Sequence, residues 1–382
     1  MSRGGPVDPA VAVVGVSVSP TCGVRDHARL LSEELERNGI SSSMHWLQRG
    51  ELSSLRSSRA QMRAWTRGLA AELEVNPPAA ILLHYSVFSY SHRGLPLFVA
   101  PTVSALRRSQ RPIVTMLHEF AYPWRYSGWR GDAWALSQRT LLIDVVRASA
   151  ALMVATQPRA EWLTSRRWLP SRPVLVSPVF SNLPPPGAGV HPHGSRRRVG
   201  LFGYSYDATG VSLVLDAIGA LRTRGIGLEL LLLGAPGACT AAGERWLAAA
   251  GARGLGEAIS FSGALPAQEL SDQLAACEVV LFADPAGPSS RKTTLAASLA
   301  SGRPLVAIDG PLGWSELARS DAARVVEPTP GALADALGEL LGDEEGREAL
   351  GARGREFAAR SMSVASSARA LGALLEDLRR GP

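Results

Sequence analysis

Cysteine is scarce: three in 382 residues, at Cys22, Cys239 and Cys277. They are too scattered for a zinc spacing or a disulfide frame, and they point to a reducing compartment, the cytoplasm. No run approaches eighteen consecutive apolar residues, so no membrane span is expected. The first nine residues lack the charged-then-apolar layout of an export signal. No zinc spacing, aromatic RNA-binding run or basic heptad helix appears, which argues against nucleic acid as a partner. There is no Asp-x-Asp, so a metal chelated by paired carboxylates on a diphosphate is not expected. Lysine is nearly absent too. Of the forty basic residues only Lys292 is lysine, and the rest are arginine.

What is present is a globular composition, 46% hydrophobic and 19% charged, with a formal charge of +6. A positive balance suits acidic lipids or phosphorylated small molecules, although arginines spread along a chain also make an ordinary solvated surface. Apolar runs at 11–18, 44–47, 80–83, 112–117, 151–155 and 174–177 read as strands. Helical periodicity fills the gaps at 25–38, 51–74, 101–109, 133–148 and 157–168. A Pro/Gly-rich stretch follows, with His191 and His193 in it, read as solvent-exposed rather than as a metal tract. The alternation then restarts at Val199. The predicted organisation is a first domain over 1–183, a linker over 184–198 and a second domain over 199–360. A C-terminal helix over 361–382 is expected to pack back on the first domain. The fold class is α/β, two doubly wound Rossmann-like domains facing a cleft, with the ligand in that cleft.

The stretch 284–304 stands out. A buried strand ends before a Pro/Gly/Ser loop, and Ser289-Ser290-Arg291-Lys292-Thr293-Thr294 opens an Ala/Leu helix that stops at Gly302. A hydroxyl-rich, doubly basic helix start at the carboxyl end of a strand suits an anion. The plain alternative is an N-capped helix, with Ser289 or Ser290 as the cap and both cations in water.

Four segments together carry a family resemblance. They are Thr21-Cys22-Gly23-Val24, the strand leading to His118-Glu119, Gly200 to Gly203 with its following helix, and Ile259 to Gly263 running on to Ala307. In this order they resemble glycosyltransferase family 4, nucleotide-sugar enzymes of GT-B type. The resemblance covers nearly the whole chain. It departs at four places. The family's diphosphate-binding Arg and Lys fall on Tyr204 and Thr209, and its two donor-binding glutamates fall on Ser289 and Ala297.

The resemblance implies transfer of a sugar from a nucleoside-diphosphate sugar to a glycan, lipid-linked or small-molecule hydroxyl acceptor, in bacterial polysaccharide, glycolipid or natural-product assembly. It implies retention of configuration, no cofactor and no metal. His118, with Glu119, is the expected catalytic group. The donor diphosphate is expected on Cys22, Gly23, Gly203, Tyr204, Ser289, Ser290, Arg291, Lys292, Thr293 and Thr294, with charge relocated to the helix start. Gly23 is expected to let the backbone approach a phosphate. His84 and Tyr85 are placed on the acceptor side. Glu316 is either a partial stand-in for a missing carboxylate or a helix-start acid. Arg56, Arg59, Arg63 and Arg67 share a helical face near Met62 and Trp65. That face is either solvated or a peripheral contact with an anionic membrane at its inner face. The rival readings are a non-catalytic GT-B subunit binding a nucleotide or a partner transferase, and an epimerase, which would need a carboxylate constellation that the sequence does not offer.

Overall fold

The computed structural model describes residues 11–19, 22–50, 54–125, 128–192 and 197–380. Thr21, the first three residues of the helix expected at 51–74, and His193 lie outside the described residues. The chain forms two compact units. One comprises the residues up to Pro178 together with those from Val364 onward, and the other is Val179–Ser363.

In the first unit the strands are β1 (Val11–Ser17), β2 (Ser42–Gln48), β3 (Ala80–Ser86), β4 (Ile113–Glu119), β5 (Ala151–Val154) and β6 (Val174–Val176). They alternate with α1 (Gly23–Arg37), α2 (Leu55–Val75), α3 (Val99–Arg108), α4 (Gly128–Ala148) and α5 (Gln157–Thr164). The sheet order is β2-β1-β3-β4-β5-β6, and every pairing is parallel. Every residue of β1 is buried, as expected of a parallel strand covered on both faces. Gly15 is dictated by packing, because a Cβ there would sit 2.1 Å from the Trp46 ring. The same indole donates to Ser17 Oγ at 3.0 Å, which ties β2 to β1.

The second unit repeats the plan. Its elements are β7 (Arg197–Phe202), α6 (Ala208–Thr223), β8 (Leu228–Leu233), α7 (Ala241–Gly251), β9 (Ile259–Gly263), α8 (Ala267–Ala275), β10 (Val279–Phe282), α9 (Thr293–Ala300), β11 (Leu305–Ile308), α10 (Ser315–Arg319), β12 (Arg324–Val326), α11 (Pro330–Gly342) and α12 (Glu344–Ser361). Its sheet order is β12-β11-β10-β7-β8-β9, again all parallel. These are two doubly wound Rossmann-like sheets. Each has a switch point where the strand order reverses, beside β1 in the first and beside β7 in the second, and such crevices take ligands.

Two details add to the sequence reading. The stretch expected as a free linker is seated on α8: Gly187 N–H donates to Asp272 Oδ1 at 2.7 Å, and Ser271 donates to the Pro184 carbonyl at 2.7 Å. The last helix, α13 (Val364–Arg380), packs on α1, with Gly372 close to Ile40, and Ser177 donates to Ser367 at 3.0 Å.

Candidate functional site

The candidate residues gather at one locus in each unit. In the first, His27 from near the start of α1, His84 from β3 and His118 from β4 converge. His84 Nδ1 and His118 Nε2 are 3.0 Å apart, and their rings stack with centroids 5.2 Å apart. His27 meets His118 edge-on at 5.5 Å and His84 at 5.8 Å. Burial and the neighbouring imidazoles hold His27 and His84 well below the usual histidine range. Burial, and then the Arg159 guanidinium, push His118 down to about 4. At neutral pH all three are uncharged, so in the His84–His118 bond one ring donates and the other accepts. A neutral His118 has no ionisable proton to give as a general acid at pH 7, but it can hydrogen-bond a hydroxyl.

Ring nitrogens of the three histidines lie within 4.8 Å of one another. A set of three neutral imidazoles is chemically able to hold zinc or a similar transition ion. Arg159 organises the other side of the locus. It donates to the His118 carbonyl and, at 3.2 Å, to both carboxylate oxygens of Glu119. Glu119 is thus an ion-pair partner, half exposed. Cys22 is the N-cap of α1 without a side-chain cap bond, and a Cβ at Gly23 would meet nothing within 4 Å. The turn therefore leaves Gly23 open on its outer side.

Tyr85 departs from expectation. Neighbouring strand residues face opposite sides of the sheet, so with His84 at the locus Tyr85 enters the core, 1% exposed and stacked on Tyr90 at 5.5 Å. It does not line an acceptor site.

In the second unit, Gly203 ends β7 at φ +82, and a Cβ there would lie 2.9 Å from Thr294 Cγ2. The loop after β7 thus touches the first turn of α9. Lys292, not a serine, is the N-cap of α9, and its side chain makes no cap bond. Its Nζ is 2.5 Å from Asp284 Oδ2, just past the end of β10. Asp284 Oδ1 also accepts from the Ala286 N–H at 2.9 Å. Arg291 is partly buried beside Lys292, while Ser289 and Ser290 are buried. The loop is braced from behind: Leu312 N–H donates to the Ala286 carbonyl at 2.7 Å, and Trp314 N–H to Pro288 at 2.8 Å. Glu316 stands in the first turn of α10, the helix-start acid of the two readings.

Tyr204 also departs from expectation. It is fully buried; its hydroxyl donates to the Gly234 carbonyl at 3.1 Å and accepts from Gly237 N–H at 2.7 Å. Its side chain is sealed in the core and cannot reach a diphosphate. On α2, Arg56, Arg59, Arg63 and Arg67 are exposed, but Met62 is 1% exposed and Trp65 packs on the core. The two large apolar residues named beside that face are thus turned toward the core. No described helix is long and apolar enough to cross a membrane.

Sequence reasoning missed His27, Arg159 and Asp284. His27 falls in register with Leu31 and Leu35, the buried stripe of α1, which marks a buried histidine in need of polar company. Asp284 sits just past a strand end, the usual position for a ligand-side group. Arg159 gave no sequence signal beyond a helix start.

Residues 196–343 match the family described as Glycosyl transferases group 1. No curated protein matches the sequence. Among solved structures, the sucrose-phosphate synthase of Thermosynechococcus elongatus is 15% identical, with 97% of this chain and 100% of that chain covered at a TM-score of 0.68. A glycosyltransferase from Rickettsia africae is 11% identical, covering 97% and 99% at 0.69. Anabaena HepE, solved in complex with UDP, is 15% identical, covering 96% and 99% at 0.67. The likeness to these structures gives the two-sheet GT-B fold, and residues 196–343 are similar to a glycosyltransferase family.

Proposed function

We propose that the protein transfers a sugar from a nucleoside-diphosphate sugar to a hydroxyl acceptor, as a member of glycosyltransferase family 4, with retention and without metal at the diphosphate. One observation carries the donor side. The N-terminus of α9, with the chain's only lysine as its N-cap and Arg291 beside it, abuts the glycine turn after β7 at the switch point of the second sheet. Departure of a nucleoside diphosphate builds negative charge on phosphate oxygens. Fixed N–H dipoles, an ammonium and a guanidinium stabilise that charge without reorganising. Asp284 keeps the ammonium in place. UDP in the Anabaena structure supports the same donor class.

On the sugar side, His118 acts as a neutral hydrogen-bonding group set by His84, and Arg159 fixes the strand end that carries it. Retention then falls to the leaving diphosphate, which takes the acceptor proton on the same face. Three free cysteines fit a cytoplasmic setting.

The test is a donor-hydrolysis and transfer screen over several nucleotide sugars, with wild type and the Arg291→Ala/Lys292→Ala double variant. Wild-type turnover that collapses in the folded double variant supports the reading. Undiminished turnover in that variant removes the donor assignment.

A further inference from the structure

A concavity lined by no histidine lies in the first unit. It is formed by α4, α5 and the turns beside them, and it encloses about 520 Å³, within the range of small-molecule sites. Three indoles line it, Trp124, Trp162 and Trp168. Leu136 and Ile143 add aliphatic surface from α4. Three of these groups are exposed in the free protein: Trp124 by 49%, Trp168 by 42% and Leu136 by 61%. Leaving that much indole and leucine in water is costly, and filling the pocket recovers it.

The polar part of the lining is cationic. Arg139 lies 4.7 Å over the Trp124 ring and 6.0 Å over Trp162, and Arg166 lies 5.1 Å over Trp162. Arg139 is fixed further by its bonds to the Tyr122 and Ala135 carbonyls. Neither guanidinium has a carboxylate partner among the described residues. Two like charges are therefore held near one indole without a counter-ion among the described residues. Burial and Arg166 both disfavour the charged form of Arg139, as expected where an anion is the missing element.

We propose that this pocket binds an amphipathic anion, an acyl or aryl tail on the indoles with a phosphate or similar group forked between Arg139 and Arg166. Guanidinium and phosphate match as bidentate partners. In a glycosyltransferase the natural ligand of this kind is an acceptor carried on such an anion. That last step rests on the transferase reading, whereas the binding does not.

The probe is octyl phosphate, titrated calorimetrically against the full chain, with octyl glucoside and inorganic phosphate as the tail-only and charge-only controls. Octyl phosphate is expected to bind one per chain and at least tenfold more tightly than either control. Arg166→Gln removes one cation, and Thr140→Trp fills the mouth from an exposed position. Each is expected to weaken octyl phosphate at least tenfold while UDP binding and thermal unfolding stay as in wild type. Equal affinity in both variants, or no saturable binding, overturns the proposal. Pelleting with phosphatidylglycerol vesicles that Arg166→Gln abolishes, without saturable octyl phosphate binding, also overturns it and assigns the patch to a membrane surface. Octyl phosphate binding in a protein that turns over no nucleotide sugar leaves the pocket standing and removes the transferase reading instead.

Discussion

Replacing Lys292 by Ala tests the donor locus most directly, because its ammonium already has a partner. The Nζ–Oδ2 separation from Asp284 is 2.5 Å, and the two side chains are 32% and 17% exposed. In wild type the pair is nearly neutral from a distance, yet the ammonium keeps donors to spare for a phosphate oxygen. Lys292→Ala removes those donors and leaves an uncompensated carboxylate beside the site. A hydrogen bond to a charged group contributes about 1.5–3 kcal/mol, so affinity for a nucleoside diphosphate should fall roughly ten- to hundredfold. Removing the carboxylate as well relieves the repulsion. Lys292→Ala/Asp284→Asn should regain about 1 kcal/mol, the coupling of a partly exposed pair. The assay is titration of UDP and GDP into each variant, with thermal unfolding to confirm the fold. Single-variant affinity within twofold of wild type, at unchanged unfolding temperature, refutes diphosphate contact at this helix start. A double variant weaker than the single one refutes the role given to Asp284.

Three further outcomes follow. His118 carries a folded pKa of about 4 against an ordinary value of 6.5, so below pH 6.5 the unfolded chain binds more protons. Its share of stability is intact above pH 6.5 and is lost as pH falls toward 4, about 3 kcal/mol over that window. His27 and His84 act in the same direction. The unfolding temperature should drop steeply from pH 6.5 to 4.5 in wild type and less steeply in His118→Gln, and parallel profiles would remove the buried-imidazole account. Gly203→Ala should cost about 1–3 kcal/mol by strain at φ +82 and weaken UDP through contact with Thr294, both readable by unfolding and titration. Dialysis against a chelator should leave transfer unchanged. Loss restored by zinc, together with one bound zinc per chain, would instead assign the three histidines to a metal.

The two-sheet fold was legible because parallel strands buried on both faces read as short apolar runs, and helices between them carry a 3.6-residue stripe. Boundaries moved by up to five residues, most at the start of α4. The Pro/Gly stretch was harder. Composition marked it as a linker, but side chains far along the chain, Ser271 and Asp272, fasten it to α8. At the donor locus the residue types in 289–294 were readable, and their division of labour was not. Lys292 became the N-cap and Ser289 and Ser290 went into the core, because the loop is drawn down by backbone bonds from residues 312 and 314.

Sequence by itself settled the alternation of strands and helices, the duplication of the plan and the presence of a basic helix start after β10. Those follow from local periodicity and punctuation, which need no partner elsewhere in the chain. Tertiary structure alone decided that Tyr85 and Tyr204 pack among apolar core residues, that His27 and His84 join His118, and that Asp284 claims Lys292. Each depends on which strand or helix becomes a neighbour, and on whether a polar atom loses its water. A lone residue in a sequence carries no record of either.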